Sequence, residues 1–193
     1  SSPAIAIVPI IATASASEPF ATGDIIKGSV TIDPDGYPLV YTGSRDNYYR
    51  VIAFDRPGAA QELWKLSATA VSPTLWNNDW DGSGLVLDDY LFEGGENSQF
   101  HAVKLNRAYA ADGTVTVDPE LVFNTPGWDE QVIADLAGNR AKEMSIENSP
   151  AMSGNTVYFA NSGGLLQGWD MGPLRTGGTP TRTFRFWTGD DTD

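Results

Sequence analysis

Hydrophobic residues in this chain come in short runs that alternate with polar ones and break at glycine, asparagine or aspartate. That period-2 pattern predicts strands rather than helices. A four-part phrase recurs three times along the sequence. It opens on a small-residue turn and a short strand, at 28–32, 82–87 and 148–152. An Asp-, Gly- or Asn-containing turn follows, and then an apolar strand that runs into glycine, at 37–43, 90–95 and 156–164. The third strand falls at 49–55, 100–106 and 165–171, and the fourth at 62–66, 120–124 and 183–187. The repeat spacing is unequal because 106–119 and 126–142 carry insertions, which belong between strands in a repeat fold.

Four short antiparallel strands repeated radially make a propeller blade. The expectation is therefore an all-β chain, a β-propeller of four-stranded antiparallel blades, with blades at roughly 24–70, 78–126 and 144–188. Residues 1–23 are expected to supply a strand of a preceding or closing blade. A β-sandwich with coincidental strand spacing is the competing architecture. Propellers close with about four to eight blades, so this ring is expected to be completed by further sequence or by a second chain. Intact mass and gel filtration are the check, a 20.7 kDa monomer being the adverse result.

One phrase carries a family resemblance. Ile52-Ala53-Phe54-Asp55, running through Gly58 to Glu62-Leu63-Trp64, resembles the PQQ-like, quinoprotein-type repeat. The other two copies, 102–105 to 121–123 and 168–170 to 184–187, are degenerate. The stretches 154–164 and 93–98 also resemble uncharacterised secreted actinobacterial proteins with PQQ-like domains. The resemblance implies a bacterial protein that is secreted, periplasmic or at the cell surface. It also brings in the PQQ-dependent dehydrogenases, which hold a calcium-bound quinone over the channel, stacked on Trp and often on a vicinal disulfide. This chain has no cysteine and no Asp assignable as the base, so quinone is not expected here.

Composition narrows the partners. With 25 acidic against 12 basic residues the net charge is −13, which disfavours nucleic acid and anionic membrane surfaces. The absence of cysteine removes disulfides, thiolate metal sites and cysteine nucleophiles. An apolar run at 4–17 reads as a buried strand or a leftover targeting segment, and is too short to span a bilayer as a helix.

Candidate chemistry lies in the turns. Asp79, Asp81 and Ser83 alternate as hard oxygen ligands, as at the start of a calcium loop, but Tyr90 stands where an EF-hand needs Glu. An Asx-type turn is the alternative. Glu93 and Glu96, with Asn97 beside them, offer two carboxylates for acid–base work or cation binding, or else a polar glycine hairpin. Glu143, Glu147 and Asn148 make a similar acidic approach to the third unit. His101, the single histidine, reads as structural. The expected function is a non-enzymatic binding or scaffold module with a protein or small-molecule ligand, calcium being the candidate cofactor. The alternative is a PQQ-dependent dehydrogenase, or another carboxylate- or calcium-dependent enzyme, completed by the missing blades.

Overall fold

A computed structural model describes residues 16–71, 77–136 and 144–189. Its frame is three antiparallel sheets of four strands. The first blade runs β2 (Thr31–Ile32), β3 (Leu39–Gly43), β4 (Tyr48–Ala53) and β6 (Gln61–Ser67). The second runs β7 (Leu85–Leu87), β8 (Tyr90–Gly94), β9 (Gln99–Lys104) and β12 (Glu120–Pro126). The third runs β13 (Ala151–Ser153), β14 (Thr156–Ala160), β15 (Leu165–Asp170) and β16 (Thr181–Trp187). Each blade is a meander in sequence order, so no crossover connection is needed.

Strand alternation decides what packs between blades. Leu39, Tyr41 and Val51 of the first blade meet Leu91 and Val103 of the second. Phe92, Phe100 and Ala102, on the second blade's other face, meet Val157 and Phe159 of the third. The Phe100 and Phe159 rings stack with centroids 4.0 Å apart. Both faces of the middle blade are thus buried, which explains why β8 and β9 are almost wholly buried.

The insertions form accessory pieces. β10 (Ala108–Tyr109) and β11 (Val115–Thr116) make a small hairpin between β9 and β12. Helix α1 (Ala68–Val71) follows the first blade, and α2 (Glu130–Asp135), capped by the Asp129 side chain on Val132 N–H, follows the second. Of the N-terminal segment, 1–15 lie outside the described residues, while β1 (Ala16–Glu18) pairs in parallel with β5 (Gly58–Ala59) of the first blade. No helix among the described residues is long and apolar enough to cross a membrane.

The blades are stapled to one another by repeated devices. At one end, arginines that follow the third strand reach back to the first hairpin of the preceding blade. Arg107 binds Asp33 (2.6 Å) and Asp35 (2.8 Å) of the first blade, and Arg175 binds Asp88 (2.9 Å) of the second. At the other end, the approach to each new blade presses on a glycine closing the second strand of the blade before. A Cβ on Gly43 would lie 2.4 Å from Trp80, and one on Gly94 2.1 Å from Ile146. Only glycine permits these approaches. Beside them runs a hydrogen-bond ladder: Ser29 N–H donates to Ser83 Oγ (2.7 Å), and Ser83 N–H donates to Ser149 Oγ (3.3 Å).

Candidate functional site

The hairpin between the second and third strands is built alike in every blade. Its residue just before the third strand has positive φ: Asn47 (74°), Ser98 (63°) and Gly164 (78°). Its amide two residues into the turn donates to the loop that leads into the same blade. Arg45 N–H binds Ile25 O (3.1 Å), Glu96 N–H binds Asp79 O (3.0 Å), and Ser162 N–H binds Ser145 O (2.9 Å). This knitting brings two positions per blade to one end of the arc: Lys27 and Arg45, then Asp81 and Glu96, then Glu147 and Ser162.

Carboxylate oxygens of Asp81, Glu96 and Glu147 lie within 4.8 Å of one another there. Arg45 reaches across from the first blade, with Nη2 2.8 Å from Asp81 Oδ2 and Nε 3.5 Å from Asp79 Oδ2. Lys27 Nζ stands 3.2 Å from Asp81 Oδ2. Asn77 Nδ2 donates to Glu96 Oε2 (2.7 Å) and Asp79 Oδ2 (3.1 Å), and Ser145 Oγ donates to Glu147 Oε1 (2.5 Å).

Crowded acids divide their protons unequally. Burial, then the hydrogen bond and repulsion from Asp81, then repulsion from Glu147, push the Glu96 carboxyl up to about 7. Burial raises Asp81 as well, but hydrogen bonds from Arg45, Lys27 and Glu96 outweigh it and hold that carboxyl below the usual range. Asp79 is raised, by burial first, against the opposing charge of Arg45. The site therefore gains negative charge as pH rises through neutrality.

The acids and polar residues singled out in the sequence part company in three dimensions. Asp81, Glu96 and Glu147 converge, with Asp79 beside them on Arg45. Ser83 instead turns to the inter-blade ladder. Asn97 is buried, its Nδ2 donating to Ala68 O and its Oδ1 accepting from Gln99 N–H. Asn148 brackets Ala160, donating to its carbonyl and accepting from its amide. Glu143 lies outside the described residues. Lys27, Arg45 and Asn77 were not singled out. For Lys27 the signal was the repeat itself, since a charged residue precedes Gly28-Ser29, Gly82-Ser83 and Asn148-Ser149 alike; Arg45 and Asn77 carry no such signal.

Glu93 goes elsewhere. On β8 it shares a face with Leu91, so it enters the seam between the first and second blades. Both of its oxygens are buried without a hydrogen bond of good geometry, and burial drives its carboxyl well above the ordinary value. Around it stand Tyr49, Trp64, Trp80 and His101, enclosing about 10 Å³, room for a single water at most. His101 Nδ1 faces the Glu93 carbonyl (3.2 Å), and burial lowers the imidazole to about 4, so it is neutral at physiological pH. A wider cleft of about 240 Å³ lies between Ile32, Tyr37, Phe54 and Tyr109. Its acids are engaged already, Asp33 by Tyr41 and Arg107, and Asp55 by Arg56 and Val115 N–H.

No family model and no curated relative matches the sequence. Solved structures do. A quinohemoprotein alcohol dehydrogenase from Pseudomonas putida HK5 is 12% identical, with a TM-score of 0.55, over 88% of this chain and 21% of its own. Sqt1 from Saccharomyces cerevisiae is 12% identical, with a TM-score of 0.55, over 88% of this chain and 36% of its own. BamB from Moraxella catarrhalis is 18% identical, with a TM-score of 0.45, over 88% of this chain and 55% of its own. The chain spans between a fifth and about half the length of these proteins. At such identities the likeness establishes fold alone: three consecutive blades of a β-propeller.

Proposed function

We propose that this chain is a binding module of a β-propeller that holds a basic partner, an Arg- or Lys-rich protein segment, at the end where its blade loops converge. The observation that supports this most is the meeting of Asp81, Glu96 and Glu147 within 4.8 Å, from three separate loops of two blades. Among the described residues, Lys27 and Arg45 alone pair with these acids and Asp79, which leaves excess negative charge. Arg45 shows the fit in miniature, since a guanidinium already lies against Asp81 through two nitrogens. The net charge of −13 steers the same class of partner. The one histidine is buried in the seam. We read the repeat as PQQ-like on its phrase at 52–64, and with that resemblance goes a secreted, periplasmic or cell-surface location.

Titration calorimetry with oligo-arginine and oligo-lysine peptides, alongside Ca²⁺, tests the reading. Peptide should bind, weaken with salt, and tighten from pH 6 to pH 8 as Glu96 ionises near 7. Glu96→Gln with Glu147→Gln should weaken it about tenfold or more. Absence of peptide binding at low salt would overturn the proposal. So would Ca²⁺ binding that excludes the peptide, which would favour a calcium-dependent activity instead.

A further inference from the structure

The first blade differs from its neighbours at the turn between its first two strands. That turn runs over 33–38, where the second blade has only Asp88-Asp89 and the third only Gly154-Asn155. The β10–β11 hairpin, an insertion in the second blade, leans over the same place. It is pinned there twice: Val115 N–H donates to Asp55 Oδ2 (2.6 Å), and Arg56 donates to the Val115 carbonyl. The Tyr37 and Tyr109 rings stack with centroids 5.3 Å apart. Together these pieces leave the cleft of about 240 Å³ between Ile32, Tyr37, Pro38, Phe54 and Tyr109. Beside the shorter turn of the second blade, the space between Asp88, Tyr90 and Met171 is only about 10 Å³. Two insertions thus build one cleft, and insertions in a repeat fold are where binding sites gather.

The walls and charges of this cleft suit an organic cation. Tyr109 is 47% exposed and Ile32 60%, so part of the apolar lining is open to a ligand. The three loops around it carry Asp33, Asp35, Asp55 and Asp112 against Arg56 and Arg107, a local excess of negative charge. Burial, then Tyr37, then the charges of Asp55 and Asp33, raise the Tyr109 hydroxyl above its ordinary value, so their potential reaches the aromatic wall. Arg107 shows that wall taking a cation, its guanidinium carbon lying 4.9 Å from the centre of the Tyr37 ring. Each carboxylate already accepts from the protein: Asp33 from Tyr41 and Arg107, Asp35 from Arg107, Asp55 from Val115 and Asp112 from Thr114. A ligand that must donate hydrogen bonds gains little from acceptors so engaged. A quaternary ammonium donates none. It asks for aromatic faces and negative potential, and this cleft offers both.

We propose that this cleft binds a small soluble molecule through a quaternary ammonium group, held against Phe54 and Tyr109. The methyl groups lie on the rings, and the acids of the three loops balance the charge without direct contact. A volume of about 240 Å³ accommodates a trimethylammonium head with a short tail, below the ~300–1,000 Å³ of pockets for drug-sized ligands. The cleft lies at the opposite strand ends from the acidic cluster, so the inference does not depend on what that cluster binds.

Proton NMR titration of the full 193-residue chain tests it, with tetramethylammonium and choline as probes. Their methyl signals should shift upfield and saturate, as protons over ring faces do. The neutral tert-butyl analogue of choline should bind about tenfold more weakly. Tyr109→Leu and Phe54→Leu keep apolar bulk but remove a ring face. Each should lower choline affinity about tenfold with an unchanged circular dichroism spectrum, whereas Tyr109→Phe should retain it. Equal binding of the tert-butyl analogue, indifference to Tyr109→Leu, or the absence of a saturable shift would overturn the proposal. So would a trimethyllysine peptide or phosphatidylcholine vesicles binding about tenfold more tightly than choline, which would assign the cleft to a macromolecular source.

Discussion

The seam between the first and second blades and the seam between the second and third have the same plan but different chemistry. The later seam is closed by Phe92, Phe100, Val157 and Phe159, with a ring stack at 4.0 Å. Its buried polar groups are satisfied: Gln167 Nε2 donates to the carbonyls of Pro126 and Gly127, and Asn161 Nδ2 to Gly127. The earlier seam buries the Glu93 carboxyl and the Trp80 indole N–H without hydrogen bonds of good geometry, beside a neutral histidine. The middle of the later seam is held by apolar packing, and its ionisable groups, Asp88 with Arg175 and Asp129 with Arg182 and Arg185, stand at its rims. The other seam carries a titratable group that folding forces to keep its proton. A shared backbone plan thus leaves each interface free to differ in how its stability responds to solution conditions.

The comparison can be broken most forcefully at the aromatic stack. Phe100→Ala should cost about 3–5 kcal/mol, read as a fall in the denaturant midpoint that is equal at pH 5 and pH 8. Removal of the guanidinium that joins the first two blades comes next. Arg107 is held by Asp33, Asp35 and Asp89 with its side chain almost wholly buried. Arg107→Ala should cost about 3 kcal/mol, because it leaves the buried Asp33 charge uncompensated.

Glu93→Gln sharpens the contrast in the other direction. The folded carboxyl lies above its ordinary value of 4.5, so native protein holds a proton that unfolded chain releases as pH rises. Stability from this group is full below 4.5 and falls as pH climbs towards the folded value. The Gln variant should match wild type at pH 4 and exceed it by about 1–2 kcal/mol at pH 8 in paired urea titrations. A smaller effect of the same sign is expected at the acidic surface. Glu96 is raised to about 7, so Glu96→Gln should gain about 1 kcal/mol between pH 6 and pH 8, after allowance for solvent screening and for the proton shared with Asp81. An aromatic-seam variant that shifted with pH, or a Glu93→Gln variant that did not, would remove the distinction between the seams.

Much of the blade was readable in advance. The alternation at 37–43 and 49–55 became β3 and β4, and the phrase at 90–95 became β8, because a period of two places the same residues on one face wherever a strand forms. The candidate site was only partly readable. Glu93 and Glu96 stand three residues apart and looked like one acidic hairpin, yet the first lies in a seam and the second at the loop end. The strand ends at Gly94, so alternation governs Glu93 and turn geometry governs Glu96. Glu147 joins Asp81 and Glu96 only because the third blade is laid against the second, a juxtaposition no local pattern encodes.

The amino-acid sequence by itself determined the strands, their grouping in fours and the excess of negative charge, since alternation, turn residues and composition are local properties. Tertiary structure decided which acids share a proton, which carboxyl is buried alone and which serines and glycines join one blade to the next. Those outcomes depend on distances of a few ångströms between residues far apart in the chain, and blade packing sets them.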